Sequence, residues 1–175
     1  AADAAELVRR ALAVTLKTSD VLPRDVALKL AKDVESICLP ILNFSPAFTD
    51  DDLAEIVRLG GPVRQVAIAR RPKVSEKVSA AIVELGVEQA VEAVCANDNA
   101  AFSERTLQRA IERFEKSEQV LAAIAYRNAL PLAVTEKLID LVGDQVRDHL
   151  LNNHALSPEV ALEIAVGAKE RATVD

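Results

Sequence analysis

Aromatic residues are scarce in this chain: Phe44, Phe48, Phe102, Phe114 and Tyr126 are all it has, and Trp is absent. Half of the residues are nonetheless apolar. Ala, Val, Leu and Ile must therefore supply the hydrophobic volume, and small aliphatic side chains favour thin layers of closely packed helices. The lack of Trp removes the strongest stacking platform for nucleic-acid bases. No apolar run approaches the roughly 18 residues that span a bilayer, which excludes membrane insertion by a helix. Charge appears too early and too often between Ala1 and Arg10 for a secretory leader. A soluble, cytoplasmic chain is expected. Met is missing altogether, which points to a processed chain or part of a longer one.

The two cysteines and two histidines exclude further chemistry. Cys38 and Cys95 fall in corresponding helices two repeats apart, beyond the roughly 7 Å Cα separation a disulfide tolerates. Their apolar neighbours make them small buried hydrophobes. His149 and His154 are five residues apart, which suits neither helical spacing of a metal site. With no Gly-rich phosphate loop, serine elbow or Cys-pair motif, neither a cofactor nor a metal is expected. The net charge of −6 disfavours non-specific attraction to phosphate backbones.

What is present is a ladder. An apolar residue followed by a helix-starting residue recurs at Leu22-Pro23, Phe48-Thr49, Val74-Ser75, Phe102-Ser103, Leu130-Pro131 and Leu156-Ser157, at spacings of 26, 26, 28, 28 and 26 residues. A fixed period of this size is the signature of stacked helical pairs. Counting from the apolar residue as zero, +1 is Pro, Thr or Ser, residues that cap or open a helix. Apolar residues at +4 or +5, +8 and +9 then share one helical face. Gly60-Gly61, Gly86 and Gly143 follow at +12 or +13, where a left-handed helix terminus is expected. A second helix precedes the next start, with Leu42, Ile68, Ala96, Ile124 and Leu150 six residues before it. The extra residues of the longer repeats lie at 96–101 and 115–117. Glu6 to Thr18 reads as an unpaired second helix, and Pro158 to Arg171 as an unpaired first one. Pro40 should bend the helix that holds it.

The expected fold is all-α: a single α-solenoid domain over residues 1–175, with about twelve antiparallel helices in pairs of 26–28 residues.

Polar residues recur three positions before each start: Ser45, Arg71, Asn99, Arg127 and Asn153. Phe44, Arg70, Asp98, Tyr126 and Asn152 precede them. At helix C-termini such residues cap free carbonyls. The same column also forms a stripe of donors along one edge of the stack. Arg64, Arg70, Arg71, Lys73 and Lys77 make a basic cluster, which is either solvated charge or a docking patch. The acids of Asp50-Asp51-Asp52 favour the start of their helix. Arg105, Arg109 and Glu112 read as an exposed face with paired charges.

The chain is similar to a known family at Val8-Arg9-Arg10-Ala11-Leu12, Leu22-Pro23-Arg24-Asp25, Ser45 to Leu53 and Ala67-Ile68-Ala69-Arg70-Arg71-Pro72. It resembles the uncharacterised bacterial HEAT-like family catalogued as domain of unknown function twenty-three thirty-six. The likeness runs from about Val8 to Leu150 and is strongest over Leu22 to Leu85. The Ala-Arg-Arg-Pro corner also resembles HEAT-like and leucine-rich-variant repeats. The resemblance implies an α-solenoid and carries over no catalytic residues. The Arg-Arg-Pro corner is absent at 97–101.

Repeats create surfaces rather than pockets. The expected function is therefore a non-enzymatic scaffold or adaptor that binds a protein or peptide, through Arg70, Arg71, Asn99, Tyr126 and Arg127. The alternatives are nucleic-acid binding by a HEAT-like surface and small-ligand sensing. Unpaired helices at both ends predict flanking sequence or a homo-oligomer through the open ends.

Overall fold

The computed structural model describes residues 3–174, side chains at 168 and 171–174 excepted. Twelve helices and no strand occur among them: α1 Ala4–Leu16, α2 Arg24–Ala31, α3 Glu35–Phe44, α4 Asp50–Leu59, α5 Gly61–Ala69, α6 Glu76–Leu85, α7 Glu88–Ala96, α8 Glu104–Arg113, α9 Glu118–Ala125, α10 Leu132–Ile139, α11 Asp144–Asn153 and α12 Pro158–Val174. No helix among the described residues is long and apolar enough to cross a membrane.

The +1 residues do what their chemistry dictates. Pro23, Thr49, Ser75, Ser103 and Pro131 are the N-caps of α2, α4, α6, α8 and α10. The Thr49 hydroxyl accepts from the Asp52 amide at 3.2 Å, and the Asp52 carboxylate accepts from the Thr49 amide at 2.9 Å, a reciprocal capping box. Ser75 and Ser103 accept from Val78 and Thr106 in the same way.

The helices form two layers. One, the B layer, stacks α1, α3, α5, α7, α9 and α11 in order; the other, the A layer, stacks α4, α6, α8 and α10. Within each repeat the A helix packs on the B helix that follows it. The apolar columns meet between the layers, where Ile37, Ile41, Leu42, Ile68, Ile82, Ile111, Ile124, Leu138 and Leu150 are fully buried. Burying each such side chain stabilises the fold by about 1.5–3 kcal/mol.

Three expectations need correction or detail. Among the described residues only Gly61 has a positive φ, 79°; Gly60, Gly86 and Gly143 do not. At Gly86 the need is instead for close approach, since a Cβ there would lie 2.5 Å from the Ile82 carbonyl oxygen. Helix α3 runs through Pro40 without interruption. The extra residues after α7 form a single parallel bridge: the Val74 amide donates to Asn99 at 3.3 Å, and the Ala101 amide donates to Val74 at 2.9 Å. This insertion therefore clasps the previous corner rather than hanging free.

Candidate functional site

The polar column resolves into residues that hold the stack and residues that face outward. Arg71 is buried; its guanidinium donates to the carbonyl oxygens of Leu42 and Ser45 at the end of α3, one repeat back. Arg127 donates to Cys95 at 2.8 Å, to Asn97 at 3.1 Å and to Ala100 at 2.7 Å, closing the end of α7. The ends of α5 and α9 are closed likewise. Asn97 donates to Ala69 and Arg71 at 2.9 and 2.8 Å, and His154 Nε2 lies 3.2 Å from the Ala125 carbonyl. The carbonyls of Leu42, Ala69, Cys95 and Ala125 lie in the last turns of their helices, where no intrahelical donor is left for them. Arg71, Asn97, Arg127 and His154 thus cap the preceding repeat, whereas Asn153 caps its own helix, donating to the His149 carbonyl at 2.9 Å.

Aromatic rings complete two rungs. The guanidinium of Arg127 lies 4.6 Å from the Phe102 ring centre, and that of Arg71 lies 5.8 Å from the Phe48 ring centre. Burial lowers the pKa of both arginines from its ordinary value, yet the carbonyl cages are built for cations. The A layer has its own caps. Arg64 donates to Ala31 and Asp33, and Arg113 donates to Val83 and Gly86.

The register of the column slips at one place. Asn99 is exposed, and its carbonyl accepts from Val74. Asn97, 26 residues after Arg71, makes the rung. The two-residue insertion lies beyond Asn97, so counting back from Phe102 selects the wrong asparagine.

The basic cluster is likewise dispersed. Arg64 and Arg71 are committed to carbonyls, and Lys77 pairs with Asp51. Arg70 and Lys73 remain, both exposed and with side chains that make no ion pair or hydrogen bond. On the A layer, Arg24–Asp52, Glu84–Arg109 and Glu112–Lys137 link successive repeats at 2.5, 2.9 and 2.9 Å. Arg109 also reaches Glu112, 3.9 Å away on its own helix. A depression of about 600 Å³ between α6 and α8 is lined by Glu84, Arg105, Arg109 and Glu112. Its carboxylates are engaged: Arg109 and Lys137 hold Glu84 and Glu112 below the usual carboxylate range.

The exposed B-layer surface carries a different feature. Three shallow depressions of about 550, 510 and 430 Å³ adjoin one another across α3, α5, α7 and α9. Arg70, Val66 and Gln89 are common to the first two, and Glu92 and Ala96 to the second and third. Leu39, Pro62 and Val63 line the first; Ala122, Tyr126 and Arg127 line the third. Together they form a continuous track. Tyr126 is about half exposed and rests against the His149 ring, with centroids 4.3 Å apart.

Of the five residues singled out in the sequence, Arg70 stands at the wall between the first two depressions. Tyr126 and Arg127 share the third, and Arg71 and Asn99 lie off the track. Val66, Gln89 and Glu92 escaped notice. Their signal is helical spacing: Val66 and Arg70 are i,i+4, and Gln89, Glu92 and Ala96 follow at three and four residues, so each set shares a face.

Cys38 and Cys95 are buried and free, and burial pushes the Cys95 thiol up to about 12. No group of three metal-ligating side chains occurs among the described residues.

The sequence model of a bacterial family, described as "Uncharacterised protein conserved in bacteria (DUF2336)", matches residues 37–175. The chain belongs to that family. The matched region begins at Ile37, inside α3, and extends beyond the Leu150 limit read from the motifs. No curated protein and no solved structure matches the chain.

Proposed function

We propose that this member of the family is a non-enzymatic interaction scaffold of the HEAT-like kind, which receives a protein or peptide along the B-layer track. The observation that carries this reading is the continuity of the three depressions across four successive B helices. Such a surface suits an elongated partner, whereas catalysis usually draws on one convergent pocket. The floor supports the same reading. Ala93, Ala96 and Ala122 keep the track shallow, while Arg70 and Tyr126, residue types enriched at binding hot spots, project beside it.

Nucleic-acid binding has less support. The net charge is −6, and of the five clustered cations only Arg70 and Lys73 are left unpaired. Burial of the outer face of α1 by flanking sequence or a second copy has support of its own, since Leu7, Val8, Leu12 and Val14 are about half exposed. An apolar set of this size on one helix favours burial against another surface.

The experiment is affinity purification from a native bacterial host with wild type, Arg70→Glu and Arg105→Glu as baits. The reading expects one set of partners to be lost with Arg70→Glu and kept with Arg105→Glu, which lies on the A layer. Identical partner sets from all three baits would discard the track.

A further inference from the structure

We infer that the first two depressions of the B-layer track recognise a short peptide segment in which an aliphatic side chain is followed by a carboxylate. The aliphatic group enters the α3–α5 depression and the carboxylate pairs with Arg70. The inference rests on the docking role proposed for this face and names the chemistry of the occupant.

The α3–α5 depression is the apolar part of the track. Leu39, Pro62, Val63, Val66 and Val87 line it, and Val63 is about half exposed. No described residue of the chain fills it, so a branched aliphatic side chain of a partner gains apolar burial there. Its polar contributors, Asn43 and Gln89, are neutral. The charge is concentrated at one point, Arg70, which stands at the boundary with the next depression.

Arg70 differs from its neighbours in a way that points to an external anion. Arg64 and Arg71 spend their guanidinium groups on backbone carbonyls, and Lys77 has Asp51. Arg70 has neither a carbonyl nor a carboxylate, although its planar fork suits a carboxylate in two-point pairing. Glu92 lies farther along, in the second and third depressions, and its side chain also makes no hydrogen bond or ion pair. The track therefore runs from apolar to positive at Arg70 and then to the carboxylates of Glu92 and Asp98, where the Arg127 guanidinium is turned to backbone carbonyls. A segment seated on it has a preferred direction, with the aliphatic residue toward α3, the acid at Arg70, and any cation toward α7 and α9. Charge patterning of this type confers orientation and partner choice more than raw affinity.

The test is selection from a displayed random-peptide library on the full chain, followed by binding of the enriched peptides to variants by fluorescence anisotropy. Enriched peptides should carry an acid within a few residues of Leu, Ile or Val. Their affinity should fall about tenfold or more with Arg70→Glu, and as much with Val66→Arg, which blocks the depression. Replacing the acid with Lys should restore binding to Arg70→Glu. The Arg105→Glu control should bind like wild type. Thermal unfolding of each variant must match wild type for the comparison to count; Arg70→Ala supplies a milder variant if reversal perturbs folding. Peptides that lose binding with Val66→Arg but ignore Arg70→Glu would overturn this inference and leave the docking face standing. Failure to enrich any peptide sensitive to either variant would overturn both.

Discussion

Arg71, two residues past the end of α5, donates through Nη2 to the carbonyl oxygen of Ser45, 26 residues earlier, at 2.5 Å. Both residues are buried. This contact joins the end of one B helix to the next, and Asn97, Arg127 and His154 repeat it along the layer. Arg71, Asn97, Arg127 and His154 thus hold successive repeats together.

Arg71→Ala should destabilise the protein by about 2–4 kcal/mol, because it removes a buried cation and leaves the Leu42 and Ser45 carbonyls without a donor. Arg70→Ala, one residue away and exposed, should change stability by less than about 0.5 kcal/mol. Urea unfolding followed by circular dichroism separates the two. Equal losses would refute the division of roles.

The slipped register gives a second pair. Asn97→Ala should cost about 1–3 kcal/mol, since two buried carbonyls lose their donor. Asn99→Ala should cost less than about 0.5 kcal/mol, because its backbone alone is engaged. The same denaturation measurement decides.

Asp52 gives the fold an acid-sensitive link. The Arg24 guanidinium, helped by the Thr49 amide, holds its carboxyl well below the usual range. A carboxylate depressed in the folded state contributes stability above the unfolded-chain pKa of about 3.9, and loses it as pH falls through the folded value. Asp52→Asn should therefore lower stability at neutral pH by about 0.5–1 kcal/mol. The gap from wild type should narrow as pH drops below about 4. A gap that stayed constant with pH would assign the effect to packing.

Cys95 is buried with its pKa pushed up to about 12. The thiolate is the nucleophile, so iodoacetamide near neutral pH should leave Cys95 unmodified in the native protein and label it once urea unfolds the chain. Mass spectrometry reads the site directly. Prompt native labelling would contradict the tight packing of α7 on its neighbours.

The helical pairs were legible in the sequence because their signals are local. Thr49, Ser75 and Ser103 cap whatever the rest of the chain does, and Ile82 or Ile124 at a repeated position must face a core. Arg70 and Arg71 show where legibility stops. They are adjacent and chemically identical, but they lie where the chain leaves α5, and only the packing against the end of α3 decides which one is enclosed. Asn97 was hidden by an insertion whose position within 96–101 the repeat could not fix. Gln65 was hidden too: it donates to Val57 and accepts from Val87, and no periodicity marks a buried glutamine that bridges three segments.

Docking on the B layer is tested most directly by site-specific photo-crosslinking in a native bacterial host. A benzophenone side chain is placed at Ala93 or Tyr126 on the track, and at Arg105 or Gln108 on the A layer. Scaffold binding predicts that the two track positions capture the same protein and that the A-layer positions do not. Equal capture from both layers, or none from Ala93 and Tyr126, would contradict it.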